Sequence, residues 1–372
     1  MSPARVVVAG LGDTGVLSAI HLAGHADVVG ISSKPELLSG QELGVRLTRP
    51  GAWQEDYRIG FNRYQKLDRV QIVQAVLTGA DPEARTVQVR GPDGSTSTEP
   101  YDVLLIATGV TNGFWRRPDL ETVEQIDLGL RAPHQQLAAA SSVMVVGGGA
   151  AAVSSALNLA STWPGKQVDL YYPQETALTQ HHSRVWQNLE RRLRAHGVGL
   201  HGGHRAVLPD GFTGDRITTD PVAWSTGQPP ASADAVLWTV GRVRPNTGWL
   251  PERFLDERGF VRVTPDLRVV GQEDVFAVGD VAATDPLRTS ARNRADKLVA
   301  ANIRAHLAGR PGREYRPAAR RWGSVVGVQP NGLDVFAPGG QAFRFPAWSI
   351  DRVLQPWIVR RGIYGGVRPY LD

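Results

Sequence analysis

Cysteine is absent from the 372-residue chain. That excludes structural disulfides, a thiolate nucleophile, a redox dithiol, and zinc or iron–sulfur centres built on sulfur. It leaves the compartment open, since a chain without cysteine suits either side of a membrane. Long hydrophobic runs are also missing. No window approaches the ~20 apolar residues of a spanning helix. The first apolar stretch, Val6 to Ala9, ends in glycine too soon for a secretory signal core, so the expected location is cytoplasmic. A strong charge of either sign is lacking, with 41 Lys and Arg against 36 Asp and Glu, or +5. This mild excess favours anionic cofactors or an anionic membrane surface and argues against nucleic acid as partner. What is there is a soluble globular composition, 42% apolar and 21% charged, long enough for two or three domains.

The chain repeats itself once. Residues 6–23 read VVVAGLGDTGVLSAIHLA and residues 143–160 read VMVVGGGAAAVSSALNLA, an offset of 137 with nine of eighteen positions identical. Each copy is a short β-branched run, a glycine turn and an apolar pattern of helical period. A second pair, YDVLLIATG at 101–109 and ADAVLWTVG at 233–241, gives each copy a closing strand that ends in glycine. Strand, turn, helix and later strand is the pattern of a doubly wound parallel sheet. Residues 86–90 and 99–106 flank the polar turn Pro92-Asp93-Gly94-Ser95, a hairpin signal. Gln187 to Ala195 reads as a charged helix stopped by Gly197, residues 208–232 as loops and short strands, and 309–320 as a linker.

Four motifs carry chemistry. In Gly10-Leu11-Gly12-Asp13-Thr14-Gly15 the first glycine permits a tight turn, Gly12 lets backbone approach a pyrophosphate, and Gly15 lets helix and strand pack closely. The acidic residue usual ~20 positions on is replaced by Ser32 and Ser33, whose hydroxyls bond a ribose less strongly. In Gly147-Gly148-Gly149-Ala150-Ala151-Ala152 alanine takes the third position, which the fingerprint tolerates. Asp169 stands inside the following strand, Glu175 just beyond it, and His181, His182 and Arg184 are candidates for a 2′-phosphate, so NAD and NADP both stay open. The third motif, Val278-Gly279-Asp280-Val281, closes a buried strand, with Asp280 either a helix cap or an acceptor for polyol hydroxyls. The fourth is Ala107-Thr108-Gly109, where glycine lets backbone pass a ligand. His201 and His204 bracket two glycines, two histidines without supporting carboxylates.

Together these residues resemble the two-dinucleotide-binding-domain flavoproteins of the pyridine nucleotide–disulfide reductase superfamily, over roughly residues 5–310. The resemblance implies an α/β fold of two Rossmann-like doubly wound dinucleotide-binding domains plus a short C-terminal segment. An FAD domain would span 1–112 and 246–315, an NAD(P)H domain 113–245, and the C-terminal segment 316–372. FAD would contact Gly10, Gly12, Asp13, Thr14, Gly15, Ser32, Ser33, Ala107, Thr108, Gly109, Gly279, Asp280 and Val281. NAD(P)H, the co-substrate, would contact Gly147, Gly149, Ala150 and Ala152, and Gly241 with Arg242 would mark the return to the FAD domain. Within the superfamily the chain is most similar to type II NADH dehydrogenases and apoptosis-inducing-factor-like NAD(P)H:quinone reductases. It departs from them at Ser290 to Asp296, a charged run where that branch places a quinone-facing helix.

The implied reaction moves a hydride from NAD(P)H to flavin N5 and then electrons to a small acceptor, quinone being one candidate. It needs no side-chain nucleophile, so no catalytic residue is assigned. Lys297 and Arg292 are expected on the helix after Asp280, near the reduced flavin. Two further readings stand beside it. One is a reductase of a ferredoxin-like protein docked by Arg116, Arg117, Arg191, Arg192 and Arg194; the other is a non-catalytic flavin-bearing sensor. Finally, Ile350, Val353, Leu354, Trp357 and Ile358 form an α-helical apolar stripe flanked by Arg352, Arg360 and Arg361, and Pro356 interrupts it. Packing against the FAD domain or in a homodimer is preferred there over peripheral membrane contact through 347–361.

Overall fold

The computed structural model describes residues 3–113, 117–240, 243–284, 295–320 and 322–369. The Gly241-Arg242 pair, Arg116, and Ser290 to Arg294 with Arg292 lie outside the described residues.

Both repeats fold as βαβ units. In the first, the strand Arg5–Ala9 leads through Gly10 into the helix Asp13–Leu22 and returns as Asp27–Ser32. Val6, Val7, Val8 and Ala9 are fully buried, which an unbroken β-branched run allows only in a strand covered on both faces. Arg5–Ala9 pairs in parallel with Asp27–Ser32 on one side and Val103–Ile106 on the other. Val275–Ala277 and Val70–Gln74 complete a five-stranded parallel sheet. The helix Ala295–Leu307 packs beside Asp13–Leu22 on one face. The other face is covered by the hairpin strands Thr86–Arg90 and Thr96–Pro100 and by the 249–282 segment.

The second unit builds a separate four-stranded parallel sheet from Ser142–Val146, Gln167–Tyr171, Gly199–His201 and Ala235–Trp238. The helices Ala150–Thr162 and Ser183–Ala195 pack on one face, and Gly197 at φ +75° ends the latter. The other face is covered by residues 206–233, tied by isolated bridges rather than regular strands. A two-stranded antiparallel link, Val110–Asn112 with Val243–Pro245, joins the two units where the chain passes out and back.

A short helix, Leu43–Thr48, crosses from the first unit onto Ala150–Thr162. A Cβ on Gly44 would stand 2.4 Å from the Ser154 carbonyl oxygen, so the two backbones touch. Asn158 then ties three parts of the chain at one point. Its Oδ1 accepts from Arg49 Nη2 at 2.9 Å and from Gln329 Nε2 at 3.1 Å, while its Nδ2 donates to Val326 O at 3.0 Å.

The C-terminal segment straps both units. Its three-stranded antiparallel sheet, Val328–Gln329, Gly332–Phe336 and Ala342–Phe345, packs on the second unit through Val325, Val326 and Phe336. Asp334 anchors it, bonding Arg192 and Arg344. The chain then forms a π-helix, Ile350–Ile363, against the first unit. Here the helical stripe expected from sequence fails. Ile350 is buried and Leu354 half-buried, but Val353, Trp357 and Ile358 are exposed. Hydrogen bonding from i to i+5 widens the turn, so inward positions recur every four or five residues: Ile350, Leu354 with Gln355, Val359, Ile363. Tyr364 N donating to Val359 O at 3.1 Å shows that register.

Candidate functional site

A cleft of about 670 Å³ runs across the ends of the five-stranded sheet. That is within the range of about 300–1,000 Å³ typical of small-molecule and cofactor sites. At one end it is lined by Ser32, Ser33, Lys34 and the stretch 75–78 after the edge strand. Gly10 to Thr14 form its floor, with Ala107, Thr108, Gly109, Val278, Gly279 and Asp280 beside them. Gln41, Asp56, Tyr57, Gln355, Val359, Ile363 and Tyr364 also line the cleft. Of the residues expected to hold FAD, the cleft gathers all but Gly15 and Val281, which are buried just behind it.

The glycine turn explains the shape of the floor. Gly10 sits at φ +101°, and a Cβ there would meet the Ala107 carbonyl oxygen at 2.7 Å. A Cβ on Gly15 would lie 1.8 Å from the Gly10 carbonyl oxygen, so only glycine lets the helix approach the strand this closely. Gly12 has nothing within 4 Å of its Cβ position: its face is open to the cleft where a diphosphate would lie. The helix N-terminus behind it offers unpaired N–H groups. Asp13 is turned aside, its Oδ2 accepting from Gly40 N at 3.1 Å, so its charge is engaged locally.

The part of the cleft around Ser32 and Lys34 is built from neutral and paired groups. Ser32 Oγ accepts from Lys34 N at 3.1 Å. Lys34 pairs with Glu121 at 2.5 Å and bonds the Asp119 carbonyl, which closes the 117–121 loop over this end. Glu36 also lines the cleft, but its carboxylate pairs with Arg58 at 2.6 Å. Sequence reasoning missed two contributors. Asp296, 1% exposed, reaches the cleft and bonds His21 Nε2 at 3.1 Å; the π-helix supplies Gln355, Val359 and Ile363, and Tyr364 follows them. Lys297, expected near the flavin, is exposed and does not line the cleft, because on this helix Asp296 and not its neighbour faces inward.

The second glycine turn has the same backbone with looser packing. Gly147 is at φ +146°, and its Cβ would stand 2.4 Å from the Thr239 carbonyl oxygen, the counterpart of Ala107. Gly149 is open, with nothing within 4 Å, and precedes the helix Ala150–Thr162. Ala152 is fully buried, so a methyl group fits where Gly15 allows none. No carboxylate stands at the end of the adjoining strand. Asp169 lies mid-strand, opposite Met144 and Gly199, and bonds His201 Nε2 at 2.7 Å. His201 stacks on Tyr171, with ring centroids 4.2 Å apart, and His204 meets the same ring edge-on. Glu175 is exposed. The loop after the strand folds back so that Leu178 N donates to Gly148 O at 2.7 Å, bringing His181 close behind the turn. Burial lowers the His181 pKa, favouring the neutral ring; Arg184 is exposed.

The arginines considered for protein docking are mostly engaged. Arg192 bonds Asp334, Arg194 bonds Glu190, and Arg117 donates to Asp215 O. Among the described residues no helix is long and apolar enough to cross a membrane.

Comparison with known proteins agrees with this geometry. The family model described as "Pyridine nucleotide-disulphide oxidoreductase" matches residues 4–302. "Oxidoreductase ptaL" of Pestalotiopsis fici (strain W106-1 / CGMCC3.15140) is 26% identical over 279 residues, 73% of this chain and 70% of that protein. The structure of reduced CoADR-RHD from Bacillus anthracis superposes with a TM-score of 0.67 at 16% identity, covering 96% of this chain and 64% of that one. The water-forming NADH oxidase of Lactobacillus brevis, bound to NADH, gives 0.62 at 17% identity, covering 94% of this chain and 77% of that one. The NAD-dependent persulfide reductase from A. fulgidus gives 0.61 at 19% identity, covering 86% and 61%. At these identities the structures establish a shared fold of paired dinucleotide-binding units.

Proposed function

Because the chain belongs to the pyridine nucleotide-disulphide oxidoreductase family, we propose that it takes a hydride from NADH or NADPH onto bound FAD and passes the electrons to a small-molecule acceptor. It is an NAD(P)H-dependent oxidoreductase that uses FAD, as its family does. The observation that carries the reading is the long cleft with an open glycine floor, the Ser32 and Ser33 hydroxyls, and Tyr57, Val359, Ile363 and Tyr364 in its wall.

The residues present fit FAD. The N–H groups around Gly12 would meet the diphosphate, Ser32 and Ser33 the adenosine ribose, and Asp280 the polyol chain. FAD supplies the two-electron carrier. Val359, Ile363 and Tyr364 keep water from the ring end. Gly147, Gly149 and Ala150 would hold the nicotinamide nucleotide by its diphosphate, with Ala152 packing behind them.

No thiol pair can relay electrons in this chain, so the acceptor takes them directly from the reduced cofactor. This favours the quinone-reductase branch, with a quinone as acceptor. The ferredoxin-like partner is less favoured, since most of its docking arginines are internally paired. The exposed Trp348, Trp357 and Ile358, with Arg361 over the Trp357 ring, support contact of 347–361 with an anionic membrane surface, which co-sedimentation with anionic liposomes tests. The acceptor is tested by stopped-flow reoxidation of the NAD(P)H-reduced protein. Faster reoxidation by quinones than by oxygen or ferredoxin is expected; turnover with none of them would favour a sensor.

A further inference from the structure

We propose that Asp56 and Glu42, grouped around Tyr57 at the ring end of the cleft, form an acid store that delivers a proton to the acceptor as it is reduced. The inference deepens the reading above and rests on it. Reducing a quinone to its hydroquinone adds two electrons and two protons. Hydride transfer brings both electrons and one proton. The second proton must come from an acid at the site, whose carboxylate is then reprotonated from water.

Position singles these groups out. Asp56 and Tyr57 line the cleft together with Val359, Ile363 and Tyr364, and Gln41, directly before Glu42, lines it too. Of the other acids nearby, Asp13 bonds Gly40, Glu36 pairs with Arg58, Asp296 pairs with His21, and Asp280 is engaged as well. Asp56, by contrast, meets Arg360 only at 3.4 Å, and the Glu42 carboxyl has no hydrogen-bond partner among the described residues.

Glu42 is also held in an uncommon way. It is a non-glycine residue in the left-handed region, at φ 58° and ψ 49°. It precedes the helix Leu43–Thr48 but makes no side-chain capping bond, so capping does not account for the strained backbone. The C-terminal segment leaves room for its carboxyl. A Cβ on Gly327 would stand 2.3 Å from Glu42 Oε2, and the nearby Val45 side chain closes the same space.

The charges around the group suit a proton store near neutral pH. Burial lifts Glu42 to about 7, against the opposing pull of Arg49. Burial lifts Asp56 to about 6, with Arg360 pulling down and Glu55 and Asp351 pushing up. Burial, then Glu42, Asp56, Tyr364 and Asp13, push the Tyr57 hydroxyl well above its usual range, so it stays protonated. Tyr57 thus stays a neutral neighbour while the two acids hold or release the proton.

The test uses full-length, flavin-loaded protein and compares menadione, which takes up protons with its electrons, with ferricyanide, which takes one electron and none. Asp56→Asn and Glu42→Gln should lower the menadione-to-ferricyanide rate ratio by about tenfold or more. In wild type, menadione reduction should fall as pH rises through about 6 to 7, and the double variant should lose that fall. A second readout needs no turnover. A carboxyl whose folded pKa is raised costs stability above its unfolded value of 3.8, so Asp56→Asn should melt above wild type at mildly alkaline pH and not below about pH 4. An unchanged rate ratio, an equal fall with both acceptors, or a melting difference that ignores pH would overturn the proposal. If NADH and NADPH both fail to bleach the wild-type flavin, the oxidoreductase reading fails first and the acid store with it.

Discussion

The two glycine turns share a backbone but not a tolerance. In the first, Gly15 has no room for a methyl group, and the cleft in front is walled by the 117–121 loop and by the C-terminal π-helix. In the second, the matching position holds a buried Ala152, and no carboxylate waits at the end of the strand beside it. A resident cofactor gains from enclosure, since every wall that orders it also slows its escape. A co-substrate that must leave each turnover gains from a shallower seat. On the proposed assignment, with FAD at the first turn and NAD(P)H at the second, the surroundings more than the glycines would set which nucleotide stays.

The sharpest way to break this comparison is to exchange the tight positions. Gly15→Ala forces a collision with the Gly10 backbone and should leave protein that neither folds soluble nor carries flavin, as absorbance after purification will show. Ala152→Gly should cost only about 1 kcal/mol, read from the denaturant midpoint, with flavin retained. Next come the open positions, where a larger side chain meets ligand and not protein. Gly12→Val should weaken FAD binding by about a hundredfold with melting of the apoprotein little changed, whereas Gly149→Val should keep FAD and weaken NAD(P)H instead. If Gly149→Val also lost FAD, the assignment of separate nucleotides to the two turns would fall.

Joining the halves matters less to either ligand and more to the fold. Asn158→Ala strips bonds from Arg49, Gln329 and the Val326 carbonyl at once, and should cost about 2–3 kcal/mol by urea unfolding. The smallest effect is expected from Ser32→Ala and Ser33→Ala, about fivefold each in FAD affinity, because a neutral hydroxyl contributes little over water.

Much of this was readable beforehand because it depends on local chemistry. The repeated β-branched run, glycine turn and helical pattern specify a buried parallel strand and a phosphate-facing helix end without reference to anything distant. The hairpin at Pro92 to Ser95 and the stop at Gly197 are of the same kind. Contacts made at long range were not readable. Nothing near Asn158 announces that residues 49, 326 and 329 converge on it. The helix after the Gly-Asp turn was expected to present Lys297, yet its phase turns Asp296 inward. The C-terminal stripe has an α-helical period in the sequence, and i→i+5 bonding turns Trp357 and Ile358 outward. Asp56 and Tyr57 carry no motif and became candidates only when the fold brought them to the wall of the cleft.

Anaerobic titration of the purified protein with NADH and with NADPH, following the visible flavin bands, tests the central claim most directly. The account predicts a yellow protein that bleaches with close to one equivalent of at least one of the two. A colourless protein that releases no flavin on denaturation, or a yellow one that neither nucleotide bleaches, would contradict it.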